Sequence, residues 1–467
     1  MKKILIIGSG PGGYHAAVRL ASLSSENTVT IVEKQGIGGT CLNVGCIPSK
    51  VLLDYTSLFE HFNESATKKK IFNASNLSIN LDELKKYQKS VISQLQQGLD
   101  KLFKNRKINI ISGEAKLNKS GKVLVKIVSD QKELEADEII IATGSKPKTI
   151  PTFSFDGKII VSSDDIWNIP SVPKRLLVIG SGPIGIEFSR VFNLLGSQVT
   201  IAEIQEKICP ILDLEISENL VRSLKRRNII LKPNFASKLL EKKENSAFVE
   251  FISTENGNKE TQEFDQVLIA VGRKPNTEDL GLENVGIETE PQGYIKTNKS
   301  LQTSKSSIWA IGDVTNYPQL AHTASFQARV VAENIMGKKK SFEGEVIPSC
   351  IFGYPEIAFV GLTEEQLKEK GVSYKVGKSL FLASGKSKAS GLTEGMVKIL
   401  MEPASKEILG AHIIGPEASS LIHELVIAMQ NKISVDKIAH SIHAHPTYSE
   451  VILEALEDCL GEAIHKT

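Results

Sequence analysis

Apolar residues in this chain gather into short unbroken runs that end in small residues, separated by stretches of helical period. "KILIIGSGPGGYHAA" opens with such a run, breaks at Gly8, Gly10 and Gly13, and resumes with Ala16, Ala17 and Leu20 at helical spacing. An unbroken run predicts a strand covered on both faces, and the later spacing predicts a helix lying on the sheet. "TVTIVEK" predicts the next strand. The same alternation returns 172 residues later in "RLLVIGSGPIGIEFSRVFNLLGSQVTIAE". "ADEIIIATGSKP" and "SIWAIGDV" predict two more buried strands. From about Val346 the pattern changes to strands such as "EILGAHIIG" mixed with helices such as "ASSLIHELVIAM", without a comparable glycine turn. Strands alternating with helices imply an α/β fold.

Glycines at this spacing between a strand and a helix form the dinucleotide-binding fingerprint when an acid follows about 20 residues on. Gly8 permits the tight turn, Gly10 lets a pyrophosphate approach the backbone, and Gly13 allows close helix–strand packing. The helix N-terminus offers its N–H groups to phosphates. Glu33, twenty residues after Gly13, can accept hydrogen bonds from ribose hydroxyls. The glycines alone would also fit an ordinary strand–helix turn; strand, helix, strand and acid together favour a nucleotide. Gly180, Gly182 and Gly185 repeat the pattern around Pro183 and Ile184, and Glu203 closes the second strand. A period this long is no solenoid. It predicts two Rossmann-like dinucleotide-binding domains, hence a relay between a bound cofactor and a diffusing one. A carboxylate at Glu203 hydrogen-bonds a free 2′-hydroxyl and repels a 2′-phosphate. The following "IQEK" holds only Lys207 as a cation, so NAD is favoured over NADP. The first fingerprint suits a permanently bound FAD, although a glycine turn cannot by itself tell FAD from NAD. Ala142, Thr143 and Gly144, and likewise Gly312 and Asp313, end strands where α/β sheets bind ligands. Asp313 could hold a sugar-like hydroxyl chain. A strand simply running into a turn is the alternative for each.

Composition narrows the classes. The chain has 467 residues, 41% apolar and 24% charged, with a formal net charge of +2, as for an ordinary soluble protein. The lysine clusters at 68–70 and 338–340 are short and isolated, so they read as solvated surface and no nucleic-acid partner is expected. No apolar run approaches the ~18 residues of a membrane span. "MKKILIIGSG" stops after four apolar residues in a glycine turn, so it reads as a first strand rather than a signal peptide, and a cytoplasmic location is expected. The five cysteines are odd in number and scattered, unlike a secretory framework. Cys209, Cys350 and Cys459 read as inert small residues.

Cys41 and Cys46, in "GGTCLNVGCIPSK", are different. On one regular helix a five-residue step would separate their Cα atoms by roughly 8.6 Å, beyond the ~6.8 Å a disulfide tolerates. The segment between must therefore leave regular helix if a bridge forms, and Gly45 allows that. Pro48 suits the first turn of the helix continuing through "SKVLLDY". Cys46 would then lie at a helix N-terminus, which lowers a thiol's pKa, with Lys50 one turn on adding positive charge. Zinc would need a second Cys/His pair at suitable spacing, and none is present, so no metal is expected. A redox-active disulfide is favoured over a purely structural one. Near the other end, "HSIHAHPTYSEVILEALEDCL" carries His445 before Pro446, and Glu450 at the start of an amphipathic helix. A histidine titrates near neutrality and a carboxylate on its second nitrogen would orient it, as in a nucleophile–base–orienter system. His440 and His443 are neighbouring alternatives and read as structural. His412, His423, His15 and His61 have no companions that point to chemistry.

Taken together, "GGTCLNVGCIPSK", "GSGPIGIE", "AVGRKPN", "WAIGD" and "HAHPTYSE" closely resemble, in order and from end to end, the FAD-dependent class I pyridine nucleotide-disulfide oxidoreductases, in their branch acting on dihydrolipoamide. The resemblance implies a first FAD segment at 1–145, an NAD segment at 146–275, a second FAD or central segment at 276–345 and an α+β dimerisation domain at 346–467. It implies FAD bound by Gly8, Gly10, Gly13, Glu33, Lys50, Gly113, Thr143, Gly144, Ser145 and Asp313, with Gln319, Leu320, Ala321 and His322 beside the ring. It implies NAD bound by Gly180, Gly182, Pro183, Ile184, Gly185, Glu187, Glu203, Ala270 and Gly272. Cys46 is expected next to the flavin and Cys41 as the interchange thiol. Lys50 is expected to pair with Glu187, and His445 with its Glu450 to serve the opposite subunit of a homodimer. The implied reaction oxidises protein-bound dihydrolipoamide with NAD, the arm being carried by an acyltransferase of a 2-oxo acid dehydrogenase complex or a glycine-cleavage carrier protein. The family usually has glycine near Ala328 and in the "SSEN" turn, where this chain departs. An NADPH-dependent reductase of glutathione-type disulfides is the first rival, opposed by Glu203 and by Ser49 preceding Lys50. A mainly structural subunit is the second, opposed by the intact Cys41, Cys46, His445 and Glu450.

Overall fold

The computed structural model describes residues 1–73, 77–127, 130–344 and 346–465. The chain divides into two compact units. The first comprises Met1–Leu52, Asn80–Lys148 and Arg273–Gly344; the second comprises Leu53–Ile79, Thr149–Gly272 and Glu345–Thr467. Residues 53–79, inside the expected 1–145 segment, thus belong with the second unit, and the helix Cys46–Thr67 runs from one unit into the other.

In the first unit the run Lys3–Ile7 forms the central strand of a five-stranded parallel sheet. The order is Ile308–Ala310, Glu138–Ile141, Lys3–Ile7, Thr28–Glu33, Asn109–Ser112. Ile4 to Ile7 are all buried because the sheet is covered on both faces: Ile6 lies against the helix at Gly13, and Leu5 and Ile7 pack with Leu117, Val123 and Val125. The helices Pro11–Leu23 and Ala321–Ile335 approach closely, since Gly12 leaves room for the methyl of Ala324. Ala328 is fully buried in the same helix, so the structure accommodates its methyl. Glu114–Leu117, Val123–Ile127 and Asp130–Leu134 add a three-stranded antiparallel sheet.

The second unit repeats this plan. Its parallel sheet runs Ile230–Lys232, Gln198–Ala202, Arg175–Ile179, Gln266–Ile269, Ile160–Ser162, beside an antiparallel sheet of Phe235–Lys242, Ala247–Ser253 and Lys259–Phe264. The C-terminal region forms a five-stranded antiparallel sheet in the order Ser349–Ile351, Glu356–Gly361, Ile408–Gly415, Met396–Met401, Lys375–Leu380. Helices Ala418–Gln430 and Ser449–Leu460 pack Ile422, Leu425, Val451 and Leu456 onto Ile399 and Ile413. Each such aliphatic side chain contributes roughly 1.5–3 kcal/mol when removed from water. The α/β class with a C-terminal α+β region is as expected.

One polar cluster lies on the opposite face of that sheet, where Lys398 pairs with His412 across the strands. Lys398 Nζ donates to Asp213 Oδ1 and Oδ2 at 2.8 and 3.0 Å and to Glu364 Oε2 at 2.7 Å. Lys398 and Asp213 are both buried. Burial alone would raise the Asp213 carboxyl, but the Lys398 bond and neighbouring charges hold it below the usual range. Bonds from Lys368, Lys398 and Tyr374 hold Glu364 at about 2. His412, buried beside them, is pushed down by burial, and its Nε2 lies 3.0 Å from the Leu362 carbonyl. Among the described residues no helix is long and apolar enough to cross a membrane, and no group of His, Cys, Asp or Glu could hold a metal ion.

Candidate active site

The first fingerprint turns where an apolar strand gives way to a helix that begins at Pro11. Gly8 has φ +101°, and a side chain there would strike the Ala142 carbonyl of the adjacent strand. A side chain at Gly13 would strike the Gly8 carbonyl, which is the close helix–strand contact that the spacing predicts. The buried Ser9 ties the turn to the acid: its N–H and hydroxyl both donate to Glu33 Oε2, at 2.8 and 2.6 Å. Glu33 Oε1 accepts the Gln35 N–H at 2.8 Å. A carboxylate has about four lone-pair positions, so Oε1 keeps one for a ribose hydroxyl. Gly113 follows the last parallel strand, and its N–H donates to the Glu33 carbonyl at 2.9 Å.

The second fingerprint is built alike. Gly180 has φ +99°, and a side chain there would strike the Ala270 carbonyl; Gly185 abuts the Gly180 carbonyl. Pro183 and Ile184 open the helix Pro183–Leu194. Ser181 donates through its N–H and hydroxyl to Glu203 Oε2, at 2.9 and 2.6 Å, and Gln205 N–H donates to Oε1 at 3.1 Å. Lys207 is already engaged. Its Nζ donates to the Leu212 carbonyl at 2.7 Å and to Glu365 Oε1 at 3.0 Å. Glu187, one turn into the helix, accepts the Phe352 N–H at 3.0 Å. Gly272 follows the strand that ends at Ile269.

What closes each turn differs. In the first, Ser9 Oγ accepts the Gly38 N–H at 3.1 Å. A side chain at Gly39 would come within 2.7 Å of Gly10 Cα, so the backbone of "GIGGTC" lies directly against the turn. In the second, Ser181 Oγ accepts the Cys209 N–H at 2.8 Å, and among the described residues nothing beyond the neighbouring chain lies within 4 Å of where a Gly182 side chain would point. Burial and the nearby Glu203 push the Cys209 thiol up to about 12, so it stays protonated as an inert residue.

Behind Gly39 comes the cysteine pair. A five-residue helix, Gly39–Asn43, carries Cys41, and a second helix starts at Cys46. The two form a disulfide with Cα atoms 4.6 Å apart, so the chain leaves regular helix between them as the spacing requires. Gly45 serves by lacking a side chain: a Cβ there would sit 3.0 Å from the Thr40 carbonyl and 3.3 Å from Cys41 Cα. Gln88 Nε2 donates to the Pro48 carbonyl at 2.9 Å and Gln96 Nε2 to Asn43 Oδ1 at 2.6 Å, fastening both short turns to the helix Leu81–Asn105. Cys209, Cys350 and Cys459 are not disulfide-bonded.

Ser145, Arg273 and Asp313 form a chain in the first unit. Ser145 hydroxyl donates to Asp313 Oδ2 at 2.6 Å, and Arg273 donates to Ser145 Oγ and to its carbonyl at 2.8 and 2.9 Å. Burial pushes the Asp313 carboxyl up, opposed by the Ser145 bond and the Arg273 charge. Thr143 and Gly144 are latched by Asn276, through Thr143 Oγ1 to its carbonyl at 2.7 Å and through its N–H to the Gly144 carbonyl at 2.9 Å. Gln319 Nε2 reaches the Asp313 carbonyl at 3.4 Å, Leu320 precedes the helix that begins at Ala321, and His322 is exposed on its first turn.

At the far end, His445 Nδ1 lies 2.7 Å from Glu450 Oε1, and Thr447 N–H donates to Glu450 Oε2 at 2.8 Å. The His445 side chain is 78% exposed, which leaves Nε2 accessible for proton transfer. Burial alone would raise the Glu450 carboxyl; the His445 bond, the Thr447 N–H and the nearby imidazoles outweigh it and hold the group below the usual range. The His445–Pro446 peptide is cis. His443 lies 2.9 Å from Glu424 and His440 2.6 Å from the Asp436 carbonyl, so both have local partners.

The pyridine nucleotide-disulphide oxidoreductase family matches residues 2–328, and the family's dimerisation domain matches residues 347–456. The chain belongs to this family. Dihydrolipoyl dehydrogenase 3 of Pseudomonas putida is 38% identical over 465 residues, covering 99% of this chain and 98% of that protein. The dihydrolipoyl dehydrogenase of Geobacillus stearothermophilus is 38% identical over 464 residues, covering 99% and 97%. The crystal structure of LpdA from Mycobacterium tuberculosis matches with a TM-score of 0.90 at 26% identity, covering 98% of this chain and 99% of that one. The HOCl-induced flavoprotein disulfide reductase RclA from Escherichia coli matches with a TM-score of 0.85 at 26% identity, covering 97% and 99%.

A pyridine nucleotide-disulphide oxidoreductase needs room for its nucleotides, and the residues fit. Thr323 Oγ1 and Gln327 Nε2 are buried without a hydrogen-bond partner among the described residues, one turn apart on the helix that begins at Ala321, where Gln327 Oε1 accepts the Gly312 N–H at 2.7 Å. Such orphaned groups beside Asp313 suit a polar cofactor. The open backbone at Gly182 suits a second nucleotide. Sequence reading passed over Ser9, Ser181, Gln327 and Arg273. For the two serines a signal existed, since "GSGP" occurs in both fingerprints, and Arg273 lies within "AVGRKPN"; for Gln327 there was none outside the fold.

Proposed function

We propose that this chain oxidises protein-bound dihydrolipoamide to lipoamide with NAD, through the Cys41–Cys46 disulfide and a bound FAD, as a homodimer. The observation that carries this reading is the seating of Gly38 and Gly39 on the first fingerprint with the disulfide immediately behind. A sulfur pair is thereby attached to a nucleotide turn, as two-electron exchange between thiols and a flavin needs. The relatives named dihydrolipoyl dehydrogenase support the substrate. Commitment of Lys207 to Glu365 and Leu212, with Glu203 at the strand end, supports NAD over NADP.

In this reading residues 1–145 and 276–345 hold FAD, 146–275 hold NAD and 346–467 form the dimer contact. Glu33 would hold the adenosine ribose and Asp313, bonded by Ser145, the ribityl hydroxyls. Lys50 would serve the flavin and Glu187 the nicotinamide site, as the resemblance implies. One substrate thiolate attacks Cys41 Sγ, the Cys41–Cys46 bond breaks, and Cys46 leaves as thiolate, favoured by its helix N-terminus. The second substrate thiolate attacks the substrate sulfur of the mixed disulfide, closing the lipoyl ring and releasing Cys41. His445, oriented by Glu450, takes the proton from the thiol docked at the partner subunit. A bound flavin would supply two-electron exchange between the cysteine pair and NAD, by which the disulfide would be restored and NADH and a proton formed. The lipoyl arm belongs to an acyltransferase of a 2-oxo acid dehydrogenase complex or to a glycine-cleavage carrier, in a reducing compartment such as the cytoplasm. The test is steady-state turnover of dihydrolipoamide with NAD and NADP. NAD should be strongly preferred and Cys41→Ser should abolish turnover; efficient glutathione-disulfide reduction with NADPH would replace this reading.

A further inference from the structure

We propose that Glu365, on the C-terminal region's helix Glu364–Glu369, is a specificity-determining residue for the nicotinamide nucleotide, acting by holding Lys207 away from the ribose 2′-position. This rests on the reading that the second fingerprint takes NAD with Glu203 at its ribose. Glu203 and Cys209 both bond Ser181 Oγ, so the segment between them is a closed loop around the Glu203 carboxylate. Lys207 sits on that loop, two residues and hence no more than about 7 Å of extended chain from Cys209. Its four-methylene stem carries the ammonium roughly 6 Å further, enough to reach the surroundings of Glu203. From Glu203 to Leu214 it is the only Lys or Arg. A 2′-phosphate would need a cation here, and the one present is withdrawn by Glu365 Oε1 at 3.0 Å and the Leu212 carbonyl at 2.7 Å.

The clasp has a fixed frame. Thr363 and Gln366 form a capping box at the start of the helix bearing Glu365. The neighbouring Glu364 N–H donates to Asp213 Oδ2 at 3.1 Å, and Asp213 is itself the N-cap of Leu214–Arg226, immediately after the Lys207 loop. Lys398 holds both Asp213 and Glu364. Glu365 therefore meets Lys207 at a set position, and preference for NAD is shared between repulsion by Glu203 and removal of the loop's cation.

The experiment measures kcat/KM of the flavin-loaded dimer for NADH and NADPH in lipoamide reduction, with calorimetric affinity for adenosine 2′,5′-bisphosphate as a second readout. Glu365→Gln and Glu365→Ala should raise the NADPH-to-NADH ratio and the bisphosphate affinity about fivefold, the scale of one partly exposed charge contact. The double variant Lys207→Met/Glu365→Gln should return both to the wild-type level. Unchanged values in both Glu365 variants, or a rise that survives loss of Lys207, would overturn the inference. Glu203→Ala is the separate arm: a fall in NADH preference supports the underlying reading, and an unchanged preference would overturn that reading and this inference with it.

Discussion

The two glycine turns are near-copies up to the end of their second strands and then part company. Both place a buried serine whose hydroxyl donates to a strand-end glutamate, and in both that hydroxyl accepts one further backbone N–H. In the first turn the N–H comes from Gly38, five residues past Glu33, and the chain then lies against Gly10 and runs into the cysteine pair. In the second it comes from Cys209, six residues past Glu203, and the ground over Gly182 stays open. The same turn is thus built twice, once roofed by the backbone of Gly38 and Gly39 and once with no described atom beyond its chain neighbours within 4 Å of where a Gly182 side chain would point. A roofed cradle suits a resident cofactor and an open one suits a nucleotide that exchanges. The difference lies in a few residues after the strand, not in the fingerprint itself.

The largest effect expected from breaking this comparison is chemical. Cys41→Ser or Cys46→Ser should reduce lipoamide turnover by about a thousandfold or more, because each removes an obligatory covalent partner. The flavin content should be retained, since neither sulfur forms the roof. His445→Gln should follow, with a loss of about 10²- to 10⁴-fold; Glu450→Gln should lose less, because the imidazole remains while its orientation weakens. Both are read from steady-state lipoamide assays.

The roof itself can be tested by paired substitutions. Gly39→Ala forces a methyl onto Gly10 in a left-handed conformation, φ +61°, and should release flavin or prevent its retention, at a cost of about 1–3 kcal/mol. Gly182→Ala meets no protein atom and should keep full flavin content while raising KM for NADH. Flavin absorbance after gel filtration, together with nicotinamide kinetics, distinguishes the two.

How much of this was legible beforehand follows from the range of each contact. Apolar runs, glycine spacing and the Cys41–Cys46 and His445–Glu450 separations are local patterns, and periodicity or short spacing exposes them. The Gly38–Ser9 bond spans 29 residues and the Lys207–Glu365 pair 158, and neither leaves a periodic trace. Gly45 was read as freedom to leave the helix; its use is a close approach to the Thr40 carbonyl, which only the folded chain reveals. The grouping of 53–79 with the second unit was hidden because residues 53–67 continue the helix of Cys46 without a break.

A smaller effect on the redox site, though not on stability, is expected at Lys398. Lys398→Met would strand the buried Asp213 carboxylate and should cost about 3–5 kcal/mol at neutral pH. Asp213 and Glu364 are held below the usual carboxylate range, so their contribution is complete above about pH 4–5 and is lost as pH falls through the depressed values, near 2 for Glu364. The stability gap between wild type and variant should therefore narrow below about pH 4, as denaturant titration at several pH values can show. A gap independent of pH would contradict the pairing.

The sulfur pair that follows Gly39 should exchange electrons with a flavin held by the first turn. Anaerobic titration of the purified protein with dihydrolipoamide tests it most directly. A long-wavelength absorbance band should rise to a maximum at two electrons per subunit in wild type and be absent in Cys46→Ser. Flavin that stays fully oxidised through that point, or a band undiminished without Cys46, would contradict the account.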